Sequence, residues 1–224
     1  MAQPRFQTRV VGGKTEIVLS AAQMREADAY TIATSVGGEE LMRRAAQGVF
    51  DAVEGWRGRI AIVCGGGNNG GDGYALACIL SSHGHAPAIY RVGTKLTQTA
   101  APYLAQARGQ GVPVFEFLEG TSLRGYDFVV DCILGTGFSG AVRGLAREAV
   151  KSVNASGAYV VSVDINSGLN GDTGQAELAV KSDLTVSIGF YKQGLLAPCA
   201  RAYIGRLINV DIGILLAGEE PDSG

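Results

Sequence analysis

The segment from Cys64 to Leu80, CGGGNNGGDGYALACIL, constrains the fold more than any other stretch of this 224-residue chain. A β-branched run from Arg59 to Cys64 reads as a strand. Six glycines, two asparagines and an aspartate then carry the chain into a helix-like segment. A strand that turns so abruptly into a helix is the opening of a βαβ unit. Glycine permits close backbone approach, Asn and Asp supply oxygens, and the helix start presents unpaired N–H groups. A loop that offers all three reads as a binding site.

The periodicity of the rest agrees with that opening. Ser20 and Gln23 form a capping-box signature, and Met24, Ala27, Ile32 and then Leu41, Met42, Ala45, Val49 and Val53 recur at helical spacing, so two N-terminal helices are expected, parted by Gly37-Gly38. Beyond them the pattern predicts strand 59–64, helix 71–83, strand 86–92, helix 97–109, strands 113–117 and 127–133, helix 141–155 and strand 158–163, with further strands at 184–189 and 206–210. Continuous Val/Ile-rich runs such as Phe128 to Ile133 and Tyr159 to Val163 suit strands covered on both faces. The expected fold class is α/β: a three-layer αβα sandwich with a Rossmann-like, mostly parallel sheet and an N-terminal helix pair. Residues 19–216 are expected to form one domain, with 1–18 a flexible lead-in and 217–224 a flexible tail.

Composition excludes several classes. With 19 Lys+Arg against 21 Asp+Glu, the net charge of −2 leaves no basic field for nucleic acid. No apolar run approaches the ~18 residues of a membrane span, and the N-terminus lacks the apolar segment of a secretory signal, so a cytoplasmic protein is expected. Arg5, Arg9 and Lys14 precede the first acid, Glu16, and read as an unstructured leader. Cys64, Cys78, Cys132 and Cys199 are widely spaced without a CxxC and read as buried free thiols of the core. Gly12-Gly13-Lys14-Thr15 imitates the end of a phosphate loop, but Thr8 stands where that motif needs glycine. His83 and His85 sit near a helix end without a Cys/His cluster, as C-terminal helix residues often do.

Gly65, Gly67 and Gly70 satisfy GxGxxG, yet a dinucleotide fingerprint also needs an acid roughly 20 residues on for the ribose. None occurs between Asp72 and Glu116, and only Arg91 is placed to meet a 2′-phosphate instead. Ligands of open α/β sheets bind beyond the carboxyl ends of the strands. Four segments are expected there: GGGNNGGDG (65–73), DCILGTGFSG (131–140), VDINSGLNGDTG (163–174) and GFYKQG (189–194).

Together with LSAAQMREAD (19–28), GGEELMRRAAQ (37–47) and GRLINVDIGI (205–214), these segments closely resemble the NAD(P)HX epimerases, the YjeF N-terminal domain family. The resemblance implies an enzyme that interconverts the R and S forms of hydrated NADH and NADPH, a repair reaction coupled to a separate ADP- or ATP-dependent dehydratase, in a homodimer. It implies substrate contacts at Asn68, Asn69, Gly70, Gly71 and Asp72, and at Gly135, Thr136, Gly137, Phe138, Ser139, Gly140 and Ala141. Asp164 would reach the damaged ring, and a potassium ion (K+) would be bound by Asn69, Asp131 and Ser167, oxygen donors that suit a hard cation.

The residues admit plainer roles as well. Asp72 serves either the ligand or only the helix dipole. Asp131, after the apolar Phe128-Val129-Val130, needs an ion, a salt bridge or hydrogen bonds to offset burial. Asp164, next to Asn166-Ser167-Gly168, is the expected proton-transfer residue, with a turn-stabilising role as the alternative. Lys192 is expected either as a second acid–base group or as a holder of the diphosphate. Gly135 to Gly140, opening a helix at Ala141, would offer free N–H groups to phosphate oxygens. A catalytically silent binding scaffold on the same fold is the alternative function. The chain also departs from the family pattern. Asn166 and Gly66 stand where prolines are usual, which loosens the backbone, and Asn170 replaces an aspartate, which casts doubt on any mechanism needing two acids in that loop.

Overall fold

A computed structural model describes residues 6–53 and 55–217. In chain order its elements are β1 (Gln7–Val11), β2 (Lys14–Leu19), α1 (Ala21–Thr34), α2 (Gly38–Ala52), β3 (Ile60–Cys64), α3 (Asn68–Ser82), β4 (Pro87–Arg91), α4 (Ala101–Gly109), β5 (Val114–Glu116), β6 (Phe128–Cys132), α5 (Gly144–Asn154), β7 (Tyr159–Val163), β8 (Ser182–Ile188), β9 (Tyr191–Lys192) and β10 (Ile204–Val210). Seven strands form one parallel sheet in the order β10-β8-β7-β6-β3-β4-β5. The chain starts in the middle at β3, builds outward through β4 and β5, then crosses over to β6 and builds the other way. The switch point therefore lies between β3 and β6, where the loops after both strands part and leave a crevice.

Strand alternation divides the core. Ile60, Ile62 and Cys64 of β3 pack with the residues of α1 to α4 on one face, and Ala61 and Val63 pack with Val150 and Val153 of α5 on the other. This is the three-layer arrangement expected. A smaller cluster of Ile165, Leu169, Ala179, Leu195 and Ala200 lies beneath the loops after β7 and β9. The expected helix face of α1 is corrected by one residue: Ala21, Met24, Ala27 and Thr31 are buried, whereas Ile32 is exposed. Thr31 satisfies its hydroxyl on the Ala27 carbonyl and accepts the Leu215 N–H, so a polar residue takes the inward place.

The N-terminus differs most from expectation. Residues 7–18, anticipated as part of a flexible lead-in, form an antiparallel hairpin in which Val11 pairs with Lys14. Gly12 and Gly13, at φ of 57° and 84°, make its two-residue turn, which requires positive φ at both positions. The hairpin does not float: Val18 and Leu19 are fully buried and pair in parallel with Tyr191 and Lys192 of β9. The anticipated tail lies outside the described residues from 218 onward.

Cys64, Cys78 and Cys132 are buried, as expected, but Cys199 is exposed on a short 3-10 turn, with its thiol against the Thr173 carbonyl. Among the described residues no helix is long and apolar enough to cross a membrane.

Candidate active site

The loops after β3, β6 and β7 meet at the switch point around a cavity of about 730 Å³, within the range of small-molecule sites. Gly67 precedes α3 without a side-chain cap, so the helix opens at Asn68, three residues before the expected start. Its first-turn N–H groups have no intrahelical partners. Asn68, Asn69 and Asp72 of this turn line the cavity together with Gly135, Thr136, Gly137, Phe138 and Asp164. The convergence is tight: a Cβ placed on Gly135 would sit 3.2 Å from both the Asn69 Cβ and the Asp164 Oδ2.

Asp164 carries the most unusual local structure. It is the one non-glycine residue at positive φ, 70°, among the described residues, just beyond β7. Such a conformation costs on the order of 1–3 kcal/mol and persists only where its surroundings impose it. Here the Asp164 N–H donates to the Val186 carbonyl, its Oδ2 accepts the Thr136 N–H at 3.2 Å, and its Oδ1 pairs with the Lys192 Nζ at 2.5 Å. Lys192 is fully buried and does not line the cavity. It also donates to the Ile188 carbonyl and the Ser187 hydroxyl, so its three donors are committed. The expectation that Lys192 meets the substrate diphosphate is thereby corrected: the lysine stands behind Asp164, held in place through the pairing of β9 with the N-terminal hairpin.

Asp131 sits one layer deeper, fully buried in β6. Its carboxylate accepts four hydrogen bonds, from the Ser167 hydroxyl and Ile133 N–H on one oxygen and from the Ser162 hydroxyl and Ser167 N–H on the other. Burial nevertheless pushes its pKa up, against the pull of these donors, and no cation pairs with it among the described residues. The Ser167 hydroxyl accepts the Leu134 N–H, and the Leu134 carbonyl accepts the Asn69 amide, so a hydrogen-bonded chain joins the three candidate cation ligands. Asn69 Oδ1 ends that chain, buried and without a partner. A buried carboxylate with its hydrogen bonds met but no counter-charge, and an orphaned amide oxygen, are the features an oxygen-coordinated monovalent cation would satisfy.

Other expected contacts fall elsewhere. Gly70 and Gly71 do not line the cavity but permit packing: a Cβ would approach the Gly65 carbonyl oxygen to 2.0 Å at Gly70 and Met42 Cε to 2.4 Å at Gly71. Ser139, Gly140 and Ala141 lie outside it too, and Gly140 borders a separate depression with Asn170 and Cys199. The expected helix start at Ala141 is corrected to Gly144, and the Thr136 and Phe138 N–H groups are spent on Asp164 and the Gly135 carbonyl rather than left for phosphate. Arg91 is bound to Glu116 and the Thr94 carbonyl, away from the cavity.

The departures at 166 and 170 also acquire reasons. Asn166, far from loosening its loop, is fully buried, donates to Val180, Ser182 and Tyr203 and accepts from Thr185. Asn170 Oδ1 accepts the N–H groups of Asp172 and Thr173, a turn role outside the cavity.

One wall of the cavity escaped the sequence reading. Helix α1 contributes Asp28, partly exposed and facing the same space as Asp72 and Asp164. Burial first, and the Asp164 charge second, raise the Asp28 pKa to about 6, while Lys192 opposes them. Burial, followed by the charges of Asp164 and Asp28, drives Asp72 well above the ordinary carboxylate range, again against Lys192. The available signal was the position of Asp28 one residue beyond the buried Ala27, on the edge of the inward face of the helix.

Residues 38–194 match the family described as YjeF-related protein N-terminus. An NAD(P)H-hydrate epimerase of Limosilactobacillus fermentum is 38% identical over 205 residues, covering 88% of this chain and 97% of that protein. A bifunctional NAD(P)H-hydrate repair enzyme, Nnr, of Coxiella burnetii is 34% identical over 198 residues, 86% of this chain but 40% of that protein. The crystal structure of the yeast protein YNL200c shares the fold, with a TM-score of 0.70 over 92% of this chain and 97% of that one at 22% identity. The family match spans well over half of the chain and takes in the loops after β3, β6 and β7 that form the cavity, so the chain belongs to the YjeF N-terminal domain family.

Proposed function

We propose that this protein is an NAD(P)H-hydrate epimerase, interconverting the R and S forms of hydrated NADH and NADPH. The observation that carries the reading is Asp164: a strained, ion-paired carboxylate aimed into the cavity at the switch point, a few ångströms from the start of α3. A turn-stabilising aspartate has no need of a buried lysine behind it, and a silent scaffold has no need of the strain.

Epimerisation at a hydrated ring carbon requires neither redox change nor a covalent nucleophile. Asp164 Oδ2 takes the hydroxyl proton, the carbon–nitrogen bond breaks with its electron pair passing to the ring nitrogen, and that nitrogen takes up a proton. The resulting aldehyde rotates and the nitrogen re-adds to its other face, reversing both transfers. Lys192 holds Asp164 in place and balances its charge. The first turn of α3 receives the phosphates. Asn69, Asp131 and Ser167 would hold a potassium ion, which supplies positive charge where three loops meet.

Coupling to a dehydratase, a homodimeric state and a cytoplasmic location belong to the same proposal. The test mixes the protein with one purified epimer of hydrated NADH and follows the other by chromatography, in potassium and in sodium buffer, with thermal unfolding recorded in both. Conversion above the spontaneous rate and a higher Tm in potassium are expected. Binding without conversion would favour the scaffold, and identical Tm values would remove the ion.

A further inference from the structure

The proton balance of this reaction leaves one donor unassigned. The hydroxyl loses a proton and the ring nitrogen gains one, on different atoms. Asp164 is poorly placed to serve both, because its Oδ1 is committed to Lys192 and its Oδ2 already accepts the Thr136 N–H. Lys192 does not reach the cavity. The cations that do line it are Arg25 and Lys95, both exposed.

We propose that Asp28 of α1 is this second acid–base group, giving its proton to the ring nitrogen as the bond opens and taking it back as the ring closes. The inference rests on the epimerase reading and adds a residue to it. Three observations support it. Asp28 lines the cavity from the helix layer, whereas Asp164 enters from the sheet, so the two carboxylates flank a ligand from different walls. Among the described residues the Asp28 carboxylate has neither a hydrogen-bond nor an ion-pair partner, in contrast to those of Asp164, Asp131 and Asp172. Its helix is fixed at both ends: the Ala21 N–H donates to Asp172 Oδ1 at 2.7 Å beside the Ser20–Gln23 capping box, and Thr31 accepts the Leu215 N–H at 2.9 Å. A carboxylate on a helix so anchored is held at constant reach.

The charged groups around Asp28 are Asp164 from the end of β7, Asp72 from α3, Lys192 from β9 and Arg25 on its own helix. Burial and Asp164 keep Asp28 half-protonated near pH 6, and the proton-donating form is lost above that pH.

The experiment measures kcat/KM between pH 5 and 8, corrected for spontaneous epimerisation, for the wild type, Asp28→Asn and Asp28→Glu, with calorimetric binding of hydrated NADH to each. The wild type should decline above about pH 6. Asp28→Asn should lose ~10²-fold and show no such decline, with binding within a few-fold of wild type, and Asp28→Glu should restore the rate with a decline displaced in pH. If Asp28→Asn is near wild type, or slow with the decline intact, Asp28 is not the acid and Asp72 takes its place. Should Asp28→Asn not fold, Asp28→Glu decides alone: a decline displaced in pH supports the role, an unmoved one overturns it. A wild type that converts neither epimer would sink the epimerase reading itself, an outcome the variants cannot mimic.

Discussion

Asp131 and Asp164 lie at the carboxyl ends of neighbouring strands, β6 and β7, yet the fold treats them in opposite ways. Asp131 is fully buried in relaxed backbone and accepts four hydrogen bonds. Asp164 sits in the left-handed region, tied to a single buried lysine and open to the cavity. A satisfied carboxylate fastens loops together, whereas a strained one with a free lone pair is set up to exchange protons.

The sharpest way to break this contrast is Asp164→Asn. Asparagine tolerates the left-handed conformation, so the backbone has no reason to change. Loss of the proton acceptor should lower kcat/KM by ~10³-fold, about 4 kcal/mol. The change also strands the Lys192 charge in the interior, at a cost of about 3 kcal/mol of stability. Adding Lys192→Met should return most of that stability in urea unfolding and none of the activity. A double variant that regained activity would show Asp164 to be structural.

Asp131→Ala should have the reverse signature. It leaves the hydroxyls of Ser162 and Ser167 and the N–H groups of Ser167 and Ile133 without their acceptor. The expected loss is about 3 kcal/mol, read as a lower urea midpoint at unchanged slope. The difference in Tm between potassium and sodium should vanish with it. An undiminished difference would move the ion away from Asp131.

How far the sequence revealed these sites depended on whether the information was local. The strand, glycine run and helix from 59 to 82 are legible because one short stretch carries the whole βαβ signal, and the rule that loops after parallel strands share a rim brings the segments of Asn69 and Asp164 together, with the family resemblance singling out the two residues. The places of Gly70, Gly71 and Ser139 to Ala141 were not, since a motif cannot distinguish a glycine that meets a ligand from one that meets Met42. Gly12-Gly13 between the β-prone runs TRVV and KTEIVL was a hairpin signal in plain sight. The basic, polar character of the segment masks it, because the partner that makes the hairpin worth forming, β9, lies more than 170 residues along the chain. Lys192 was misplaced for the same reason: its burial is created by that long-range pairing.

Asp28 extends the comparison to stability. Its folded pKa is raised, so the folded state holds the proton more tightly than the unfolded chain does. Its favourable contribution is complete below about pH 4 and is lost as pH rises through about 6. Asp28→Asn removes this loss. It should match the wild type near pH 4 and exceed it by on the order of 1–2 kcal/mol above pH 6, after allowance for solvent screening at a partly exposed site. Equal stability at both pH values would mean that the carboxylate is at ease in the cavity and carries no functional burden.

Asn170→Asp, which restores the acid usual in the family, should change least. The side chain points not into the cavity but at the Asp172 and Thr173 N–H groups, and a carboxylate oxygen accepts those two bonds as well as an amide oxygen does. Stability should stay within about 0.5 kcal/mol, the ordinary range for a surface substitution, and kcat/KM within about twofold. What Asn170 contributes is the shape of the 170–174 turn, whose Asp172 carries the Ala21 N–H at the start of α1. A large gain in rate from Asn170→Asp would therefore place a second working acid in this loop and take that role from Asp28.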